Sequence, residues 1–394
     1  MYKIQTLNKI SANGLSEFPL DCYEVADDLP NPVAMLVRSF NMHQMNLPLS
    51  LSAVARAGAG TNNVPVQALT ERGVVVFNTP GANANAVKEL VLLAMLASSR
   101  NILAASAWVK TLMGQGDKIP ELAEKGKSQF IGPELAGKTL GVIGLGAIGV
   151  LVANSAVGLG MRVIGYDPFI SVDGAWHLNR DVIRAENLES LVAKSDYITV
   201  HVPLTNDTVG MIDAAQIKNM KAGVRLINLA REELAISADI LSALSSGKVA
   251  SYVSDFASED MLAHPKVLCL PHLGASTPEA EENCARMAAK QVRDFLEKGA
   301  VANSVNFPEC RMEAGIPAGG MRLCVANRNE PNMIGQMATV LADEKLNVSA
   351  MVNQNRNDLA YNLIDVEGEA SPVTLDRIVG IDGVLSVRVI FARG

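Results

Sequence analysis

Short apolar, β-branched runs alternate along this chain with longer stretches whose apolar residues recur at helical spacing. The N-terminal MYKIQTLNKIS alternates like a strand and lacks the apolar core of a signal peptide. Runs at 34–37, 52–55 and 74–77 predict buried parallel strands. Gly/Asn/Pro clusters at 58–63 and 79–83 punctuate them. A long helix is predicted over 86–109, then a polar stretch with Gly and Lys over 113–132. A second series opens with the apolar strand at 138–144 and continues with strands at 162–166, 197–202, 224–229, 249–254 and 267–270, with helical segments between. Such alternation predicts a parallel sheet covered on both faces.

Ser276-Thr277-Pro278-Glu279 has the spacing of a helix start, and that helix runs to about 298. The Pro/Gly-rich stretch 306–320 reads as a linker. Beyond it come a strand (322–326), a helix (334–345), strands (348–353 and 360–365), a helix (374–379) and a strand (384–391). That is the order of a ferredoxin-like split βαβ fold.

Composition narrows the class. Apolar residues make up 49% and charged residues 19%, enough for several cores. Only 4% is aromatic, which favours α/β architecture over a β-sandwich. A net charge of −7 counts against a nucleic-acid or anionic-membrane binder. The apolar run 91–97 is too short to span a bilayer. Cys22, Cys269, Cys284, Cys310 and Cys324 are odd in number and scattered, so neither a disulfide framework nor a metal site is expected. The expected location is the cytoplasm.

One motif carries chemistry. Gly144-Leu145-Gly146-Ala147-Ile148-Gly149 is a G-x-G-x-x-G between an apolar strand and an apolar helix. Gly144 permits the tight turn, Gly146 lets the backbone approach a pyrophosphate, and Gly149 lets helix pack on strand. The amides of Ala147 and Ile148, at the positive end of the helix dipole, then face the anion. The next strand ends at Asp167, where a carboxylate accepts from both ribose hydroxyls and repels a 2′-phosphate. NAD is therefore favoured over NADP.

Hydride removal from an alcohol needs a base for the hydroxyl proton and a cation for a neighbouring carboxylate. Of the five histidines, His272 alone sits just past a late strand in a glycine-containing turn. Arg231 follows the strand at 224–229 in an equivalent place, and Glu259 and Asp260 follow the one ending at 254. Ligands bind outside the carboxyl ends of such strands. His201 also ends a strand, and its run reads as lining the adenine side or as packing.

These residues resemble the D-isomer-specific 2-hydroxyacid dehydrogenases. The resemblance is carried by Arg56-Ala-Gly-Ala-Gly-Thr-Asn-Asn63, Asn78-Thr-Pro-Gly-Ala-Asn83, the glycine motif, His201-Val-Pro-Leu-Thr205, Asn228-Leu-Ala-Arg231 and Pro271-His-Leu-Gly-Ala-Ser-Thr277. It implies a doubly wound Rossmann-type cofactor domain (96–274) inserted in a flavodoxin-like substrate domain (1–95 and 275–305). The segment 321–394 resembles an ACT regulatory domain. The site would lie in a cleft between the first two domains.

The resemblance also implies roles. Arg231 binds the substrate carboxylate and His272 takes the hydroxyl proton. An acid pairs with that imidazole, either Asp260 or, with a one-residue gap, Glu259. Pro203, Ala230 and Asp255 join the cofactor contacts. Gly58, Ala59 and Gly60 cradle the substrate carboxylate, with Asn83 nearby. Arg38 and Arg56 are the candidates for a substrate phosphate, ahead of Lys125 and Lys127. Asn329 and Asn347 match positions that contact a serine effector. The implied partners are a phosphorylated 2-hydroxy acid and a second or further copies of the chain, in a homodimer or homotetramer. A sister dehydrogenase acting on an unphosphorylated acid is the alternative. A nucleotide-sensing binding protein on this fold is the alternative of another class, and intact Arg231 and His272 count against it.

Overall fold

The computed structural model describes residues 1–392, so the last two positions of the expected 321–394 segment lie outside the described residues. The chain divides into two compact units, Met1–Asn83 with Pro278–Gly394, and Ala84–Thr277.

In the first unit five strands form a parallel sheet in the order β2-β1-β3-β4-β5. They are β1 (Tyr2–Leu7), β2 (Tyr23–Ala26), β3 (Ala34–Val37), β4 (Ala53–Arg56) and β5 (Val75–Phe77). The short central runs at 34–37 and 53–55 are buried on both faces, which is why they are apolar without alternation. This is the flavodoxin-like order. The helix Pro278–Lys298 lays Cys284, Ala288, Val292 and Phe295 against this sheet.

The second unit holds seven strands in the order β12-β11-β10-β9-β6-β7-β8, with every pairing parallel. They are β6 (Thr139–Ile143), β7 (Arg162–Tyr166), β8 (Ile183–Arg184), β9 (Tyr197–Val200), β10 (Val224–Asn228), β11 (Val249–Ser254) and β12 (Val267–Cys269). Strand order reverses between β6 and β9, the switch point where a doubly wound sheet opens a crevice.

The helix predicted over 86–109 is two helices, Ala84–Arg100 and Ile102–Lys110. Asn101 between them is left-handed at φ 48°, a conformation asparagine tolerates better than most residues. The unit boundary falls at 83/84 rather than 95/96. Val87, Val91, Ala94 and Met95 pack with Leu140, Val142 and Val152, so the whole first helix belongs to the seven-stranded sheet's core.

Four antiparallel strands close the first unit in the order β14-β15-β13-β16. They are β13 (Met321–Arg328), β14 (Asn347–Arg356), β15 (Leu359–Glu367) and β16 (Val384–Phe391), with helices Met333–Asp343 and Pro372–Val379 between them. This is the ferredoxin-like arrangement the element order predicts. The stretch 306–320 is not a free tether at its start. Phe307 and Cys310 are fully buried, and Asn306 bonds Val76, Thr70 and Val74. Cys324, Ala326, Tyr361 and Leu363 share one core with Phe295 and Phe307. Apolar anchors in a Pro/Gly-rich stretch thus turn an expected linker into a wall between the two sheets.

Candidate active site

The glycine turn follows β6, and each of its glycines has a different neighbour. Gly144 sits at φ 89°, and a Cβ there would meet the His201 carbonyl oxygen at 2.6 Å. A Cβ on Gly149 would fall 1.9 Å from the Gly144 carbonyl oxygen. A Cβ on Gly146 meets nothing within 4 Å. The protein's own packing therefore demands glycine at 144 and 149, whereas the space at 146 is open for a ligand. Gly146 caps the helix Ala147–Gly158, whose first amides have no partner inside the helix. An anion fits there.

Asp167 is fixed beside this turn. Its Oδ2 accepts from the Leu145 amide and its Oδ1 from the Phe169 amide, both at 2.8 Å. Each oxygen keeps acceptor capacity for a ribose hydroxyl. The residues present thus fit a dinucleotide.

His201 continues β9, its amide bonded to the Ile143 carbonyl at 2.7 Å and its Nε2 2.9 Å from the Thr199 hydroxyl. Burial pushes its imidazole down from 6.5 to about 4. At neutral pH it is an uncharged wall beside the glycine turn. The unfolded chain binds this proton more tightly than the folded one. The group's contribution to stability is therefore complete above the unfolded value of 6.5 and lost as pH falls toward about 4. Urea midpoints are expected to decline across that window, and less steeply in His201→Gln.

Three strand ends carry the remaining candidates. Asn228 of β10 pairs with Ser254 of β11, and Ser254 with Cys269 of β12. Arg231 and His272 each lie three residues past such an end, on strands two spacings apart, or about 10 Å. Buried polar residues join their loops. Asn228 is 2% exposed and donates from Nδ2 to the Arg231 carbonyl at 2.8 Å, and its Oδ1 accepts from the Ala230 amide at 3.2 Å. Its own carbonyl accepts from the Asp255 amide at 3.2 Å. Asp255, also 2% exposed, accepts from the Leu273 and Gly274 amides at 2.7 Å each, and its carbonyl from the His272 amide at 3.1 Å. A single hydrogen-bonded chain therefore runs from Arg231 through Asn228 and Asp255 to His272.

His272 is left-handed at φ 58°, held there by these bonds, with its exposed ring edge-on to Phe256 at 5.3 Å. Arg231 donates to the Ala230 carbonyl at 2.6 Å, and among the described residues no carboxylate pairs with it. Glu259 and Asp260 open the short helix Glu259–Ala263, both exposed, and neither is bonded to His272. The sequence marks Asn228 only as the start of the Asn228-Leu-Ala-Arg231 motif, gives no role to Phe256, and reads Asp255 as a cofactor contact. In the structure both carboxylate oxygens of Asp255 hold the His272 loop. Pro203 is exposed and its carbonyl accepts from the Thr208 hydroxyl at 2.6 Å.

In the first unit, the amides of Ala59 and Gly60 donate to no acceptor among the described residues, so that turn can cradle an anion. Asn78 fixes it by donating to the Ala59 carbonyl at 2.7 Å. The Arg56 guanidinium lies where a Gly58 side chain would be. Arg38 is in an ion pair with Glu281 at 2.7 Å, so it is already partnered. Among the described residues, Asn83 makes no side-chain hydrogen bond. Lys125 and Lys127 pair on the surface with Glu121 and Glu124.

The two expected effector residues lie apart. Asn329 follows β13 and bonds the β14–β15 turn at Asn357 and Asp358. Asn347 starts β14 at the other end, roughly 30 Å of strand away. One copy of the chain cannot bring both to one small ligand. Among the described residues, no group of His, Cys, Asp or Glu is placed to hold a metal, and no single helix is long and apolar enough to cross a membrane.

Known proteins place this architecture. Residues 92–274 match the family described as D-isomer specific 2-hydroxyacid dehydrogenase, NAD binding domain. The matched segment takes in the glycine turn, Asp167, Arg231 and His272. D-3-phosphoglycerate dehydrogenase of Archaeoglobus fulgidus is 34% identical over 295 residues, covering 72% of this chain and 53% of that protein. The protein of the same name from Mycobacterium bovis is 36% identical over 352 residues, covering 86% of this chain and 61% of that protein. The chain thus spans little more than half the length of these relatives. A solved NAD-bound 3-phosphoglycerate dehydrogenase of Entamoeba histolytica is 26% identical with a TM-score of 0.62, covering 77% of this chain and 98% of that one.

The glycines separate folding from binding. Gly149→Val is expected to lower the melting temperature sharply, because overpacking against backbone costs about 1–3 kcal/mol or more. Gly146→Val is expected to melt normally yet bind NADH more than about tenfold weaker, a loss above about 1.4 kcal/mol. Thermal melts and fluorescence titration check the pair.

Proposed function

We propose that the chain oxidises 3-phospho-D-glycerate to 3-phosphohydroxypyruvate with NAD. The observation that carries this reading is the buried chain of hydrogen bonds that sets Arg231 and His272 on one rim. Arg231, with no carboxylate of its own, takes the substrate carboxylate as a bidentate pair and polarises the C2 oxygen. His272 accepts the C2 hydroxyl proton and returns it in the reverse direction. NAD, when held at the glycine turn and Asp167, would supply the acceptor for the C2 hydride. The acid pairing with His272 is Glu259 or Asp260, brought to it when the short helix Glu259–Ala263 shifts. The amides of Ala59 and Gly60 and the side chain of Arg56 serve the substrate's anionic ends.

The name shared by the curated relatives supports the phosphorylated substrate. One observation favours a second reading, a reductase of glyoxylate or hydroxypyruvate. Arg38 is already neutralised by Glu281 and offers less to a phosphate.

The small antiparallel sheet serves as an ACT domain that binds serine, with Asn329 from one copy and Asn347 from another. A further contact between copies lies on the NAD-binding unit. There Leu93, Leu96, Ile102 and Ile131 are exposed around an apolar cavity of about 760 Å³. A homodimer, or a homotetramer built from it, would cover that surface.

The test is NADH oxidation with three substrates side by side. The fastest turnover is expected with phosphohydroxypyruvate. A clear preference for hydroxypyruvate or glyoxylate would move the assignment to the second reading.

A further inference from the structure

Among the described residues, Arg328 and Arg356 of the small sheet form no ion pair. Arg328 ends β13 and Arg356 ends β14, and both are in register with Leu359 of β15. Directly opposed residues in an antiparallel sheet point to the same face. The two side chains therefore leave one face on either side of Leu359, about 10 Å apart at the backbone. Like charges so placed repel, and among the described residues no ion pair relieves them.

They line a polar cavity of about 360 Å³. Its other wall comes from Gln67, Thr70 and Glu71 of the helix Val66–Glu71 and from Asn306. Glu71 and Asp358 also line it, and both are exposed. Among the described residues neither carboxylate forms an ion pair, and neither arginine does. Arg356 is nonetheless held in place, because its Nη1 donates to the Ser304 carbonyl at 3.0 Å. Burial shifts its pKa downward with no opposite charge to offset the effect. Asn306 behind it is fully bonded to Thr70, Val74 and Val76, so the rear wall is rigid.

Two positive and two negative groups thus share one small cavity without pairing with each other. The complementary ligand carries both signs on a compact frame. We propose that this cavity is a second small-molecule site that binds an α-amino acid, with its carboxylate on Arg328 and Arg356 and its ammonium on Glu71 and Asp358. The site uses none of the residues of the hydride-transfer rim. Its walls come from the five-stranded and four-stranded halves of one unit, so the ligand would bridge them.

The test is titration calorimetry of the full chain with glycine, L-serine, L-aspartate and inorganic phosphate. At least one amino acid is expected to saturate one site per chain, and phosphate to bind about tenfold weaker or not at all. Arg328→Gln and Glu71→Gln are each expected to weaken that binding by about tenfold or more, the loss of one charge-assisted hydrogen bond. Asn347→Ala is expected to leave it unchanged, which separates this site from one shared between copies. NADH titration and thermal melts of each variant report that the fold is intact. The proposal is overturned if none of the three amino acids saturates. It is equally overturned if binding survives Arg328→Gln and Glu71→Gln together, or if phosphate binds as tightly as the amino acid.

Discussion

Replacing His272 with alanine is expected to lower turnover by roughly 10²–10⁴-fold, the usual contribution of a positioned general base. NADH affinity is expected to stay within about twofold of the parent, because the glycine turn and Asp167, whose geometry fits a dinucleotide, do not include this side chain. The loop should survive the change. Its geometry is set by backbone amides on Asp255, and the imidazole contributes only an edge contact to Phe256. A variant with nearly full turnover would remove His272 from the chemistry.

Arg231→Ala is expected to cost about 2–5 kcal/mol of transition-state stabilisation, a fall of roughly 30- to 5000-fold in kcat/KM. The reason lies in what surrounds it. Among the described residues no acid neutralises this guanidinium, and its only side-chain hydrogen bond goes to the adjacent Ala230 carbonyl. Its remaining donors are available to a carboxylate. Arg231→Lys keeps the charge and loses the fork, so it should recover only part of the deficit. If the lysine variant matched the parent, the bidentate contact would be wrong and a simple point charge would suffice.

Much of this site can be read from residue types and spacing. The glycine motif declares itself because three separate steric demands fall on three positions within six residues. Arg231 and His272 are legible because each follows a late strand, and parallel strands deliver their ends to one rim. What escapes the sequence is the connection between them. Asn228 looks like the last residue of a strand, and its amide gains meaning only when Arg231 and Asp255 are seen to bond it. Asp255 reads as a ligand contact until its oxygens are found on two loop amides.

Long-range pairing is equally hidden. Arg38 looks free for a phosphate, but Glu281 from the helix Pro278–Lys298 meets it. The same holds for the fold. Periodicity runs through Asn101 without a sign of the left-handed break. A Pro/Gly-rich stretch hides the fact that Phe307 and Cys310 are buried in a core. Element order alone does not tell that Asn329 and Asn347 start from opposite ends of a sheet.

The most direct measurement follows the hydrogen on C2. Purified chain is incubated with NAD and 3-phospho-D-glycerate carrying deuterium at C2, and the reduced nicotinamide is weighed by mass spectrometry. One deuterium per NADH is expected, with the label reaching NADH at a rate that collapses in Arg231→Ala and His272→Ala. NADH formed without deuterium, or labelled NADH formed equally fast by both variants, would contradict the assignment of hydride transfer to this rim.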